Sequence, residues 1–176
     1  MRGDYRILGG PRQLVESFVA APGPMGWRYV GRVRRADALD EALIVDYAVD
    51  ARWNLVRFRA LDDRGNEAVA VPGEDGLQVA VRRSDGSERT WAFEGATAVW
   101  SPSPCSLLLV DRLLGRREGS LDAVRLEPPD WDPERWTIRL ERRGDELDVI
   151  AGGRRLEVRR GPEQPISAEG WFELEA

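Results

Sequence analysis

Residues 100–115, WSPSPCSLLLVDRLLG, constrain the fold of this chain more than any other stretch. Ser103 can accept a hydrogen bond from an early backbone N–H. Pro104 fits the first helical position because its missing N–H is not needed there, and Gly115 can end the helix in a left-handed turn. Between these signals Leu107, Leu108, Leu109, Val110, Leu113 and Leu114 wrap most of the circumference, with Asp111 and Arg112 the polar exceptions. A helix apolar on nearly every side needs cover on nearly every side. The remainder of the chain must therefore close over this segment.

Most of that remainder is written in strand and turn signals. Trp27, Tyr29, Gly31 and Val33 share one face of an extended run, with Arg28, Arg32 and Arg34 on the other. Leu43, Val45, Tyr47 and Val49 repeat the pattern, and Trp53 and Leu55 open a third run. The DDRGN cluster after Leu61 predicts a turn into EAVAV, and Ser84-Asp85-Gly86 a tight turn between Leu77, Val79, Val81 and Arg89, Trp91, Phe93. The short run ATAVW leads into the helix. Beyond it LDAVRLEPP, RWTIRLER, DELDVIA, RRLEVRR and WFELEA, separated by Pro and Gly breakers, predict a meander of antiparallel strands. Pro11–Ala21, PRQLVESFVAA, departs from the pattern: Leu14, Val15, Phe18 and Val19 stand at helical spacing and predict a short amphipathic helix. The expected fold is mainly β with few helices (α+β), in one domain over residues 1–176. Its core is a single strongly curved antiparallel sheet, a half-barrel of about ten strands, with the apolar helix packed in its concave side.

Composition removes several chemistries. The 176 residues contain no histidine, and all 26 basic residues are arginine. The commonest general base, the commonest metal ligand, Ser-His and Cys-His nucleophiles and Schiff-base lysines are therefore excluded. Cys105 is the single cysteine, which excludes an internal disulfide and a thiolate-rich metal site. A net charge of −5 argues against a general nucleic-acid binder. The opening MRGDYRILGG has no long apolar core and no run approaches a membrane span, so the expected location is the cytoplasm, without membrane insertion. No cofactor and no metal is expected.

Trp27, Tyr29, Tyr47, Trp53, Trp91, Phe93 and Trp100 are candidates for a ligand-contacting wall, with ordinary core filling as the plainer role. Cys105 near the helix start could be a thiolate favoured by the helix N-terminus, or a small buried side chain. Asp111 could pair with Arg112 or Arg116 at the surface. Alternatively Arg112 turns inward, where its planar fork suits a carboxylate or phosphate. Glu94, Asp46 and Glu67 are candidate interior acids. The Arg154-Arg155 and Arg159-Arg160 pairs alternate with Leu156 and Val158 on the wet face of a late strand.

From Val45 to Leu114 the order VDYAVDARWNLVRFRA, WAFEGATAVWSPSP and CSLLLVDRLLG resembles the glycolipid-binding protein family of bacteria. Asp46-Tyr47, Trp53, Pro102 to Pro104 and Leu109 to Leu113 stand where that family has an Asp-Tyr strand, an opening tryptophan, a Pro-containing stretch and a Leu-Pro-Ile-Arg-Arg-Leu segment. Val110 and Asp111 depart from it, where the family has isoleucine and arginine. The resemblance implies an antiparallel half-barrel like that of the periplasmic lipoprotein carriers, with helices in its open side. The same architecture also resembles a small cofactor-free enzyme of violacein biosynthesis.

The leading expectation is a binding protein for a hydrophobic or amphipathic small molecule, lipid- or glycolipid-like, held between the sheet and the helix. Its expected contacts are Tyr29, Tyr47, Trp53, Trp91, Trp100, Leu109 and Arg112. A cofactor-independent isomerase or cyclase acting on an apolar metabolite in the same pocket is the alternative. It requires a buried carboxyl or tyrosine with a shifted pKa facing the cavity. An interaction module that joins a partner or a second copy, as a homodimer, is the third.

Overall fold

The computed structural model describes residues 1–8, 14–35, 41–143, 146–161, 165–168 and 171–174. Eight strands come first: β1 (Arg2–Ile7), β2 (Leu14–Gly23), β3 (Gly26–Arg35), β4 (Glu41–Asp50), β5 (Leu55–Asp62), β6 (Glu67–Pro72), β7 (Gly76–Arg82) and β8 (Glu88–Glu94). A short β9 (Ala98–Trp100) precedes the helix α1 (Cys105–Leu113). Six strands follow: β10 (Gly119–Arg125), β11 (Glu134–Arg143), β12 (Glu146–Ala151), β13 (Arg154–Arg160), β14 (Pro165–Ala168) and β15 (Phe172–Leu174).

All fifteen belong to one sheet, which corrects the expected count of about ten. Part of the difference is β1, whose run is broken up by the charges of Arg2, Asp4 and Arg6, and the four-residue β14. The rest is the stretch expected to be the N-terminal helix, which is β2 in the structure; residues 11–13 of that expectation lie outside the described residues. On β2 the buried positions are Glu16, Phe18 and Ala20, a period of two, and Val19 is exposed. Leu14, Val15, Phe18 and Val19 satisfy a helical period as well. What decides is that β1 and β3 offer hydrogen-bonding ladders on both sides of this segment.

Strands β1 to β8 each pair antiparallel with the next, β1 pairs with β15, and β15 to β10 continue as the expected meander, while β9 lies parallel to β10 with α1 as the crossover. The order thus puts β8 at one edge and β9 at the other, although only residues 95–97 join them. Four Cα steps span at most about 15 Å. Fifteen strands laid flat would separate the edges by roughly 65 Å. The sheet is therefore rolled. Bonds between its two arms agree: Arg135 of β11 donates to the Glu94 carbonyl of β8 (2.5 Å), and the Trp131 indole donates to Asp62 of β5 (2.8 Å).

The helix lies inside the roll. Every residue from Cys105 to Asp111 is buried. Its end is a Schellman motif, with Gly115 at φ +64° donating to the Arg112 carbonyl and Arg116 to that of Asp111. At its start Ser103 Oγ accepts from the Cys105 N–H (3.2 Å), while Pro104 is the capping residue rather than the first helical one. Cross-strand charges keep the outer face wet: Arg28 and Arg57 bracket Asp46 at 2.8 and 3.0 Å, and Arg59 and Arg82 bracket Glu67 at 2.5 Å each. No helix among the described residues is long and apolar enough to cross a membrane.

Candidate functional site

The first four strands build a continuous inner face because alternate residues point inward. Along β2 that face reads Leu14, Glu16, Phe18, Ala20; along β3, Tyr29, Gly31, Val33; along β4, Leu43, Val45, Tyr47, Val49. Stacked rings tie the strands together. Phe18 lies between Tyr5 (5.0 Å) and Tyr29 (5.3 Å), and Phe172 meets Tyr5 edge-on at 5.0 Å.

The start of α1 docks on the middle of this face through a buried polar cluster. Glu16 is fully buried, and its Oε1 accepts from the Tyr29 hydroxyl (2.8 Å) and from Ser103 Oγ (2.7 Å). Its Oε2 has no hydrogen-bond partner among the described residues. Burial pushes the Glu16 carboxyl up to about 7, against the hydrogen bonds from Ser103 and Tyr29 that pull it down. Gly31 makes the room: a Cβ there would stand 2.0 Å from Glu16 Oε1. Beside this cluster the Tyr47 hydroxyl donates to Ser101 Oγ (2.8 Å) and lies 2.8 Å from Ser106 Oγ. Burial raises the phenols of Tyr5, Tyr29 and Tyr47 as well, so all three remain protonated donors near neutral pH.

The polar cluster divides two apolar spaces. On one side Tyr29, Tyr47, Trp53 and Leu109, together with Trp27 and Ala20, surround a gap of about 10 Å³. That is the smallest space in which a water fits. It is filled because Trp53, held at φ +70°, stacks on Trp27 at 5.7 Å and carries the Arg112 guanidinium over its ring at 5.3 Å. On the other side a cavity of about 370 Å³ opens among Trp100, Trp136, Trp171, Leu14, Val33 and Leu156, with Glu127 and Arg154 also in its wall. Trp100 and Trp171 lie 5.2 Å apart, and the Trp171 indole donates to the Pro102 carbonyl (3.1 Å). The left-handed Gly152 (φ +55°) lets the Trp136 ring approach within 2.5 Å of where a Cβ would stand.

The seven expected contact residues are thus split. Tyr29, Tyr47, Trp53 and Leu109 line the small gap, Arg112 lies over the Trp53 ring in the wall of neither space, Trp100 lines the large cavity, and Trp91 sits half-buried on β8 opposite Val79, also in the wall of neither. Cys105 is a buried small side chain rather than a thiolate, because burial and then the neighbouring Glu16 hold its thiol well above the ordinary range. Of the candidate interior acids, Asp46 and Glu67 serve the outer ion pairs and Glu94 is exposed. Glu16, the most deeply buried acid among the described residues, is one that a helical reading of residues 11–21 hides on a wet face. The sequence signal for it is the alternation Leu14, Glu16, Phe18, Ala20. Trp136 and Trp171 were legible as tryptophans but not as neighbours of Trp100.

No protein-family model and no curated protein sequence matches this chain. Its fold is similar to the crystal structure of a DUF1089 family protein from Pseudomonas aeruginosa, with a TM-score of 0.58 over 97% of this chain and 91% of that one. At 17% identity the likeness is one of β-rich architecture alone.

Proposed function

We propose that this chain binds a hydrophobic or amphipathic small molecule in the cavity walled by Trp100, Trp136 and Trp171. The observation that carries the reading is the cavity itself. Its roughly 370 Å³ falls within the range of small-molecule sites, and its wall is apolar and aromatic with few polar groups. The resemblance of residues 45–114 to glycolipid-binding proteins makes a lipid- or glycolipid-like guest the preferred class. Native mass spectrometry of the protein, purified without detergent and then offered medium-chain lipids, tests it: a stoichiometric adduct is expected, and its absence with every lipid sinks the reading.

A second reading, a cofactor-independent isomerase or cyclase in the same pocket, is favoured by one observation, the buried Glu16 carboxyl raised to about 7. That value suits proton transfer near neutral pH. It requires that Glu16→Gln abolish conversion of a bound metabolite while leaving binding intact.

A further inference from the structure

Glu16 stands next to the wall of the large cavity, and three neighbours show it. Leu14, the next inward residue on β2, lines the cavity. Val33, directly opposite Glu16 in the β2–β3 register, lines it too, and opposed residues on one sheet face hold their Cβ atoms within about 5.5 Å. Pro102, a third wall residue, precedes the Ser103 whose hydroxyl is bonded to Glu16.

The carboxylate is half used. Tyr29 and Ser103 both donate to Oε1 and fix the plane of the group, while Oε2 is buried without a partner. A buried acceptor left unpaired forfeits the hydration it had in water, which makes it a ready site for an incoming donor. The demand is for one donor. A hydroxyl supplies one, whereas an ammonium would bring two further N–H groups into an apolar wall, and a carboxylate or phosphate would place like charge against Glu16.

We propose that Glu16, in its ionised form, accepts at Oε2 a hydrogen bond from the polar end of the cavity's ligand, an apolar molecule terminating in a hydroxyl. This rests on the cavity being the binding site. It makes the cavity polar beside Leu14 and Val33 as well as at the wall that carries Glu127 and Arg154, so the guest is recognised by its head as well as by its oily body. Glu16 is not itself in the cavity wall, so the proposal requires the half-buried Leu14 side chain beside it to move aside on binding.

The test titrates the wild-type protein and Glu16→Leu at pH 8.5, where the carboxyl is ionised, with 1-decanol, decyl methyl ether and decanoate, followed by the fluorescence of the tryptophans that line the cavity. Wild type is expected to bind the alcohol about tenfold more tightly than the ether, with decanoate weakest. In Glu16→Leu, its folding checked by thermal melting, the alcohol and the ether should bind alike. Should that variant not fold, the wild-type ratio decides alone. Equal affinity of wild type for alcohol and ether, or a preference that survives in folded Glu16→Leu, overturns the role of Glu16 and leaves the cavity reading standing. Binding of none of the three overturns both.

Discussion

Ser103 Oγ donates a 2.7 Å hydrogen bond to Glu16 Oε1 across a separation of 87 residues. It fastens the first turn of the buried helix to the second strand, and Tyr29 donates to the same oxygen from the third. One acidic side chain thereby fixes where the helix sits inside the roll, and so where the apolar space on either side of it begins and ends.

The fastening is proton-linked. Because the folded-state carboxyl is raised from its ordinary 4.5 to about 7, the folded protein holds a proton there that the unfolded chain releases. The contribution is fully present below pH 4.5 and is lost as pH rises through 7, a decline of about 3 kcal/mol. Urea denaturation at pH 5 and pH 8 should show the wild type less stable at pH 8, and Glu16→Gln should remove most of that difference. An unchanged slope in the variant would mean that another group titrates.

Gly31→Ala should act on the same carboxylate. The new Cβ would meet Glu16 Oε1 at 2.0 Å and Val45 Cγ2 at 2.9 Å, in a cluster held by two hydrogen bonds. Chemical denaturation should report a loss of about 1–3 kcal/mol. It should be smaller in a Glu16→Gly background, where the obstructing carboxylate is gone.

Trp131 is fully buried at φ +56° and donates its indole N–H to Asp62 at 2.8 Å, joining the segment between β10 and β11 to the β5–β6 turn. Burial pushes the Asp62 carboxyl up, but donors from Trp131 and Asn66 outweigh it and hold that group below its ordinary value. Trp131→Phe should lower stability by about 2 kcal/mol through the lost bond and the smaller ring. A thermal melt superimposable on wild type would show that the two arms of the roll do not depend on this pin.

Ala151→Phe should fill the large cavity from its own wall, since Ala151 is a buried lining residue. Ligand affinity should fall at least about tenfold with little change in melting temperature, because the added ring enters space already empty. Arg112→Ala makes the contrasting case. The guanidinium lies over Trp53 beside the filled gap, so affinity should stay within about twofold of wild type and stability should drop by less than about 1 kcal/mol. A large loss of binding in Arg112→Ala with none in Ala151→Phe would move the site to the Trp53 side.

Local pattern determined much of this protein. The leucines of residues 107–114 required a covered helix, Gly115 set its left-handed end, and the alternations through Tyr29, Tyr47 and Val79 wrote strands with their inner faces in order, because side-chain period and turn chemistry act over a few residues. Where two periods fit one stretch, as at Leu14 to Val19, the choice fell to β1 and β3, whose ladders take up its backbone groups. Rolling the sheet decided the rest. Only the rolling of the sheet brings Trp100, Trp136 and Trp171 of the later strands against Leu14, Val33 and Leu43 of the earlier ones with space left among them, and only the descent of Ser103 onto β2 makes Glu16 an interior acid. Empty volume and the surroundings of a charge depend on segments far apart in the chain, and no local periodicity encodes them.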